Sequence, residues 1–208
     1  MFEIKRPDNI FEIFPYLYLS AFPATKQYKE MKAMKLTNII NVTNNISPTD
    51  QQYKIFDVLY FPLKDDEFYD ILTAIQTTAF YINSLVTNDK NKKILVHCSA
   101  GISRSSSIII GYCMIYKKMK LLDAYNFVKS KKGNIAPNPG FMSQLIKLEK
   151  DLFQLNEPTL NHKDYVVSLL KQIFPNIKDE DLLDALNKCD GDHIAAQNML
   201  FSIAYSKW

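Results

Sequence analysis

Residues 94–118 constrain the fold more than any other part of the chain. They begin with three consecutive apolar residues, Ile94-Leu95-Val96, which predict a short strand buried on both faces. A short loop containing a glycine follows, and residues 105–118 then have the apolar body that is typical of a buried helix. The chain must therefore form a strand, a loop and a helix in immediate succession. Strands that alternate with helices in this way predict an α/β domain.

Other segments fit this architecture. Residues 16–19 and 39–42 are short β-prone runs, and residues 53–63 predict a further extended stretch that includes Pro62. Apolar residues at helical spacing predict a helix from Asp70, as N-cap, to about residue 88. Two more helices are predicted over residues 121–129 and 140–154.

A polar stretch interrupted by Pro158 divides the chain. We predict a first domain over residues 1–155, a linker over residues 156–162 and a second domain over residues 163–208. The second domain has helical patterns at about residues 163–173, 179–188 and 192–204. These predict a small three-helix bundle, near the lower size limit for independent folding.

The composition excludes several classes of protein. Apolar residues make up 47% of the chain and charged residues 23%, which is a globular composition rather than a disordered one. No apolar run is long enough to span a bilayer, and the start of the chain lacks the charged-then-apolar order of a secretory signal. Three cysteines cannot all pair within the chain and fit no zinc pattern. We therefore predict no metal site and a reducing compartment, the cytoplasm, with the nucleus as the alternative.

The loop between the predicted strand and helix has the residues of an anion site. At a helix start, backbone N–H groups point inward and share the positive end of the helix dipole. Arg104 adds a planar fork of donors that matches two phosphate oxygens. Cys98 lies at the base of this positive field, where its thiolate is favoured as a nucleophile, and Ser105 can donate to the sulfur. The predicted phosphate-binding residues are Ser99, Ala100, Gly101, Ile102, Ser103 and Arg104.

Cys98 to Arg104 is a Cys-x5-Arg motif, and it resembles the signature of protein tyrosine phosphatases, specifically of their dual-specificity branch. The resemblance extends over about residues 10–150 and includes Asn41-Val42-Thr43 and Pro137-Asn138-Pro139-Gly140-Phe141. It implies a cysteine-phosphatase fold, in which helices flank a central mixed sheet. It also implies hydrolysis of phosphotyrosine and phosphoserine or phosphothreonine through a phosphocysteine, with no cofactor. His97 would have a supporting role behind the loop.

A general acid must protonate the leaving oxygen of such a substrate. In the resembled family an Asp follows a strand with a proline near its end, and the stretch Phe61-Pro62-Leu63-Lys64-Asp65 fits that pattern. Asp65 is therefore the predicted acid. Asp66 is the alternative if the loop is shifted by one residue, whereas Asp70 is better explained as a helix cap.

The second domain resembles a ubiquitin-binding CUE domain and the related UBA fold. Phe174-Pro175 matches the Met-Phe-Pro motif of that family, with Ile173 in place of the Met, and Met199-Leu200 stands where two leucines are usual. The resemblance implies ubiquitin as a partner and Phe174, Pro175, Met199 and Leu200 as its contacts. The alternative is a bundle that only packs on the phosphatase domain.

Three other functions remain open for the whole chain. The first is a phosphatase of lipids or RNA, against which residues 99–103 argue because they contain no Lys or Arg. The second is a phosphoprotein-binding module without catalysis, against which the presence of Cys98, Arg104 and Asp65 argues. The third is a ubiquitin-binding adaptor with incidental phosphatase activity. We expect a phosphorylated protein as substrate, no nucleic-acid partner and no membrane span.

Overall fold

The fold is that of a computed structural model, which describes residues 9–205. The chain forms two compact units, of which the first ends at Glu157 and the second begins at Pro158. The start of the chain, on which the prediction of no secretory signal rests, lies outside the described residues. Within residues 9–205, no helix is both long and apolar enough to cross a bilayer.

Within residues 9–157, the first unit is built on a five-stranded mixed sheet. Its strands are β1 (Ile10–Phe14), β2 (Leu17–Ala21), β3 (Asn38–Thr43), β4 (Asp57–Leu63) and β5 (Ile94–Cys98), in the order β1-β2-β5-β3-β4. β1 pairs antiparallel with β2, and all other neighbours pair in parallel. The central strand β5 is buried throughout, which explains why its sequence is continuously apolar at the start. The predicted α/β fold with a mixed sheet is confirmed.

Helices cover this sheet. They are α1 (Tyr28–Ala33), α2 (Asp50–Ile55), α3 (Leu72–Asn88), α4 (Arg104–Lys117), α5 (Leu121–Lys131) and α6 (Pro139–Phe153), and a 3-10 turn at Phe22–Lys26 follows β2. Every residue of α4 from Arg104 to Met114 is buried, and the helix packs against α3, α5 and α6. Its first residue is thereby fixed beside the carboxyl end of β5. The intervening loop lies at the edge of the sheet where α/β proteins bind ligands.

The extended stretch predicted over residues 53–63 is wrong in its first three residues, which belong to α2. The cause is a capping box that starts the helix earlier. The Thr49 hydroxyl accepts a hydrogen bond from the Gln52 backbone, and the Gln52 side chain accepts one from the Thr49 backbone. Two reciprocal bonds satisfy donors that a helix start otherwise leaves open, so the helix forms despite the β-branched residue at its end.

Two further differences concern one strand that was not predicted and the start of one helix. β1 was not predicted although four of its five residues are apolar, because these residues do not alternate with polar ones as in a half-buried strand, and only Ile10 and Ile13 are buried. α3 begins at Leu72 rather than directly after Asp70, so Asp70 is not its N-cap. The Asp70 carboxylate instead accepts a hydrogen bond from the Leu72 backbone at 3.0 Å, which still favours the start of the helix from one residue farther away.

Within residues 158–205, the second unit contains three helices. They are α7 (His162–Ile173), α8 (Asp179–Lys188) and α9 (His193–Tyr205). Gly191, with a φ of +85°, makes the turn before α9, and the Asp192 carboxylate accepts hydrogen bonds from Ile194 and Ala195. The apolar faces of the three helices form one core. Its buried residues include Val166, Leu170, Phe174, Leu182, Leu186, Ala196 and Leu200.

Candidate active site

Cys98 is the last residue of β5 and is only 1% exposed. Two donors point at its sulfur: the Gly101 backbone N–H at 3.2 Å and the Ser105 hydroxyl at 3.1 Å. Hydrogen bonds to the charged form of a group favour that form, and the N-terminus of α4 adds the positive end of its dipole. Two hydrogen-bond donors and the N-terminus of α4 therefore converge on the Cys98 sulfur.

Gly101 fixes the course of the loop. It has a φ of +69°, and a Cβ at this position would lie 2.7 Å from the Ser20 carbonyl oxygen of β2. Only glycine allows both the left-handed conformation and this approach. A backbone hydrogen bond of 3.1 Å from Phe22 to the Ser99 carbonyl ties the loop to the segment after β2. The loop thus rests on the neighbouring strand, with the N–H of Gly101 turned toward the Cys98 sulfur.

The Arg104 guanidinium is buried and held from three sides. Its Nη1 donates to the Asn44 side chain and to the Leu63 carbonyl, both at 3.1 Å. Its Nη2 donates to the Ser99 hydroxyl at 3.0 Å. These contacts come from the segment after β3, from the end of β4 and from the loop itself. Since Nη1 has two acceptors at fixed positions, the plane of the guanidinium is set before any ligand arrives.

Asp65 lies beside both the loop and the arginine. Its Oδ1 accepts hydrogen bonds from the Ser103 hydroxyl at 2.7 Å and from the Asn138 side chain at 3.0 Å. Its Oδ2 is 3.4 Å from Arg104 Nε, an ion pair without the geometry of a hydrogen bond. The Asp65 side chain is exposed, with 36% of its surface accessible. Asp65 is thus oriented by groups on two segments, the end of the loop at Ser103 and Arg104 and the residue before α6, Asn138.

Asp66, the alternative acid, has a different environment. Its carboxylate accepts a hydrogen bond from the Phe68 backbone at 2.8 Å, and its carbonyl accepts one from Tyr69 at 3.0 Å. These are contacts within a turn. The structure therefore brings Asp65, and not Asp66, to the side chains of the loop.

His97, the last residue of β5 before Cys98, is buried, and its supporting role stays a prediction. Its Nδ1 is 3.4 Å from the Cys98 carbonyl, and its Nε2 has no hydrogen-bond partner among residues 9–205. Burial lowers the pKa of His97 from 6.5 to about 4, and the contact with the Cys98 carbonyl only partly opposes this. The ring is therefore neutral at neutral pH.

The remaining loop residues contribute mainly through their backbone. Ala100 is exposed, and the Ile102 carbonyl accepts a hydrogen bond of 3.0 Å from Ala136. The Ser103 side chain does not turn toward the anion site: it accepts from the Asn138 backbone at 3.0 Å and donates to Asp65. Ser103 therefore links the loop to the predicted acid.

Several residues of the site were missed by the sequence analysis. Asn44 was unmarked by any pattern, whereas Asn138 carried a signal, since an Asn before a Pro predicts a helix N-cap. Asn138 does cap α6, by accepting a hydrogen bond from Phe141, while its amide N–H contacts Asp65. Lys132 is 4% exposed and donates to the Asn134 side chain. Burial lowers the pKa of Lys132, and its electrostatic interaction with Cys98 partly opposes this shift.

The four predicted ubiquitin contacts do not share one surface. Phe174 is 7% exposed and Leu200 4%, because both belong to the core of the second unit, where Phe174 stacks edge-on against Phe201 at 4.8 Å. The prediction that Phe174 and Leu200 lie on the surface is therefore wrong, because both are core residues. Pro175 is exposed, and Met199 is partly buried at the edge of the same core.

Comparison with known proteins gives matches over the first unit. The family model described as dual specificity phosphatase, catalytic domain, matches residues 17–151. Dual specificity protein phosphatase 2 of Mus musculus is 33% identical over 138 residues, which are 66% of this chain and 42% of that protein. MAP kinase phosphatase with leucine-rich repeats protein 3 of Dictyostelium discoideum is 35% identical over 149 residues, which are 70% of this chain and 16% of that protein. The chain thus spans less than half the length of these curated relatives.

Solved structures match the same part. Human DUSP28 superposes with a TM-score of 0.64 at 28% identity, covering 71% of this chain and 97% of that one. The human tyrosine phosphatase-like serine/threonine/tyrosine-interacting protein gives a TM-score of 0.62 at 29% identity, covering 72% and 99%. The second of these proteins is named phosphatase-like, so this fold by itself does not establish phosphatase activity. The residues of the site must carry that argument.

Proposed function

The chain belongs to the dual specificity phosphatase family, and we propose that its first unit hydrolyses phosphate monoesters on protein side chains with Cys98 as the nucleophile. The observation that supports this best is the convergence of three groups on one loop. The Cys98 sulfur has two donors, the Arg104 guanidinium is held in a fixed plane, and the Asp65 carboxylate lies 3.4 Å from Arg104. A nucleophile, an anion clamp and an acid are the groups that the reaction requires.

In the first step, the Cys98 thiolate attacks phosphorus in line with the leaving oxygen. A sulfur–phosphorus bond forms, the phosphorus–oxygen bond breaks, and Asp65, in its protonated form, donates a proton to the leaving serine, threonine or tyrosine oxygen. The backbone N–H groups of residues 99–103 and Arg104 stabilise the charge on the equatorial oxygens. Since Nη1 is anchored on Asn44 and Leu63, the Nη2 and Nε edge of Arg104 is the edge that serves the phosphate.

In the second step, water attacks the phosphocysteine. Asp65, now a carboxylate, accepts a proton from the water, and Cys98 leaves as a thiolate while inorganic phosphate is formed. The Ser105 hydroxyl, 3.1 Å from the sulfur, stabilises the departing thiolate. In these two steps, side chains and backbone groups of the protein supply the nucleophile, the general acid and the phosphate clamp.

We propose phosphotyrosine and phosphothreonine or phosphoserine in proteins as the substrates. The family and the absence of Lys and Arg from residues 99–103 support this choice over lipid or RNA substrates of high negative charge. Kinetics on a doubly phosphorylated peptide would test it. Removal of both phosphates is the expected result, and strict removal of the phosphotyrosine phosphate would contradict dual specificity.

The variant Cys98→Ser tests the nucleophile. It should abolish hydrolysis of p-nitrophenyl phosphate while the protein still binds tungstate, because the loop and Arg104 are unchanged. If the serine variant kept even about a tenth of the activity, Cys98 would not be the nucleophile. A wild-type protein that binds phosphopeptides without turnover would instead identify a phosphoprotein-binding module.

The reactivity of the Cys98 thiol also limits the cellular compartment in which the protein can be active. Burial raises the pKa of Cys113 to about 12, so that this thiol stays protonated and unreactive, while Cys98 has donors that favour its thiolate. Because an oxidised Cys98 could not attack phosphorus, the proposed activity requires a reducing compartment, for which we propose the cytoplasm with the nucleus as the alternative.

For the second unit we propose weak binding of ubiquitin. What supports it, besides the resemblance, is a groove of about 530 Å³ in which Ile177, Met199 and Ile203 form an apolar part beside the charged residues Lys178, Asp181, Asp184 and Lys188. Ile203 is 43% exposed, and Met199 is partly buried against the core. A small apolar surface of this kind suits affinities in the micromolar to millimolar range, about −4 to −8 kcal/mol.

Titration of isotope-labelled ubiquitin with the full chain would test this binding. Shifts of ubiquitin amides that disappear with Met199→Asp, but persist with the control Ile194→Asp, would support it. Ile194 is a suitable control because it lies on the same helix and is 54% exposed, yet is not part of the groove. An absence of shifts at millimolar ubiquitin would reduce the second unit to a structural role.

A further inference from the structure

Phe68 is the most exposed large apolar side chain among the residues that the structure describes, at 94%. It lies in the segment of residues 64–71 between β4 and α3, three residues after Asp65. We call residues 64–71 the acid segment. An aromatic side chain normally gains free energy by burial, so one held almost fully in water next to a catalytic site suggests a contact made only with a ligand.

The acid segment is held in place by hydrogen bonds and by close packing against α6. The Gln144 side chain accepts a hydrogen bond from the Ile71 backbone and donates one to the Tyr69 carbonyl, both at 2.9 Å. At Gly140, an added Cβ would lie 1.9 Å from the Glu67 carbonyl oxygen, so the backbone of the segment rests directly on the first turn of α6. The segment is therefore fixed against one rigid helix at several points.

The turn around Phe68 is fixed as well. The Asp66 carboxylate accepts the backbone N–H of Phe68 at 2.8 Å, and the Asp66 carbonyl accepts that of Tyr69 at 3.0 Å. The backbone of Phe68 is thus determined by its neighbours. Its ring points into solvent because the fold holds it there, which preorganises it for a contact at no further cost in backbone order.

Phe68 also stands close to the reaction. Three residues span at most about 10 Å, so this is the limit of its distance from Asp65 along the backbone. Asp65 in turn lies 3.4 Å from Arg104 Nε. A phosphorylated residue that enters far enough to reach Cys98 must bring its neighbours in the substrate to this rim.

We propose that Phe68 is a specificity-determining residue that packs against an apolar side chain next to the phosphorylated residue of the substrate. The proposal rests on the phosphatase function proposed above. The charges around Phe68 define the preferred substrate further, because Asp66, Glu67 and Asp70 lie within two residues of it. Acidic flanking residues are repelled there, so an apolar neighbour is favoured over an acidic one.

The test compares phosphotyrosine peptides that differ only in the two residues flanking phosphotyrosine, which are Leu, Ala or Asp. For the full chain, kcat/KM on each peptide is divided by kcat/KM on p-nitrophenyl phosphate, so that general changes in activity cancel. Wild type should prefer Leu over Asp, and Phe68→Ala should reduce this preference by about tenfold, as expected for loss of one apolar contact. Phe68→Leu should retain part of the preference, whereas Phe68→Asp should lower it further.

Phe80→Ala is the matched control. Phe80 is also an exposed phenylalanine, at 67%, but it lies on α3, and its substitution should leave both the preference and the basal activity unchanged. If Phe68→Ala keeps the full preference, or if Phe80→Ala reduces it equally, Phe68 does not determine specificity and the proposal is overturned.

A binding measurement separates this proposal from the proposed function. Fluorescence anisotropy with Cys98→Ser gives the affinity for each labelled peptide without turnover, and Phe68→Ala is then introduced into that background. A Leu preference in binding that is lost with Phe68→Ala supports the contact even if the wild type proves inactive. Equal affinities for the Leu and Asp peptides would overturn it even in an active phosphatase.

Discussion

The Ser103 hydroxyl donates a 2.7 Å hydrogen bond to Oδ1 of Asp65, which joins the anion loop directly to the proposed general acid. The same hydroxyl accepts the Asn138 backbone N–H, and the Asn138 side chain contacts Asp65 as well. The position of the acid is therefore set by the loop that holds the nucleophile. A shift of either is therefore transmitted to the other.

Replacement of the acid should affect turnover far more than binding. Asp65→Ala is expected to lower kcat by about two to four decades, the usual contribution of a general acid. The loss should be larger for substrates whose leaving oxygen needs a proton most, and the alkaline limb of the pH profile should disappear. Asp66→Ala is the control, since its carboxylate contacts only the turn. If Asp66→Ala has the large effect and Asp65→Ala a mild one, the acid is Asp66.

Gly140→Ala should displace the acid without touching it. The added Cβ would lie 1.9 Å from the Glu67 carbonyl oxygen, so the backbone two residues after Asp65 has to move. A misplacement of this kind is expected to lower kcat by about one to two decades on substrates with a poor leaving group. Gly133→Ala is the matched control, because its Cβ would meet nothing within 4 Å. Equal kinetics of the two variants on a series of aryl phosphates would contradict the prediction.

Asn44→Ala should weaken the anion clamp. It removes one of the two acceptors that hold Arg104 Nη1. The binding free energy of tungstate should weaken by about 1 kcal/mol, which corresponds to roughly a fivefold increase in its inhibition constant. Asn88→Ala, on the exposed surface of α3, is the control. An unchanged inhibition constant in Asn44→Ala would mean that the Leu63 carbonyl alone positions the guanidinium.

The buried His97 should make the first unit sensitive to mild acid. Its pKa is about 4 in the folded protein, against an ordinary value of 6.5 for a histidine in water, so below pH 6.5 the unfolded chain binds a proton that the folded chain does not. Stability is therefore lost as the pH falls from about 6.5 towards 4, by about 2 kcal/mol between pH 7 and pH 5.

The variant His97→Gln isolates this contribution, because its side chain does not titrate. Urea unfolding followed by circular dichroism at pH 7 and pH 5 gives the loss of free energy of unfolding for wild type and variant. The loss should be smaller in His97→Gln by about 2 kcal/mol, whereas His193→Gln, a partly buried histidine of the second unit, should behave like wild type. Identical losses in all three proteins would show that His97 is not the titrating group.

The sequence alone determined the central part of the molecule. The strand, loop and helix around Cys98 follow from a continuous apolar run, a glycine and a helical pattern within one short segment, and all of them depend on neighbours along the chain. For the same reason the spacing of Cys98, Arg104 and Ser105 already predicted the anion site, and the two units could be separated at the polar stretch around Pro158.

The tertiary structure decided everything that depends on partners distant in sequence. Asp65 was distinguished from Asp66 by Ser103 and Asn138, which approach it only because β4, α4 and α6 meet at one edge of the sheet. Asn44 carried no local signal, since its role is defined by Arg104, sixty positions away. Phe174 and Leu200 were predicted to lie on the surface but belong to the core. Helical periodicity identifies the apolar face of a helix, but the neighbouring helices decide which residues of that face are buried.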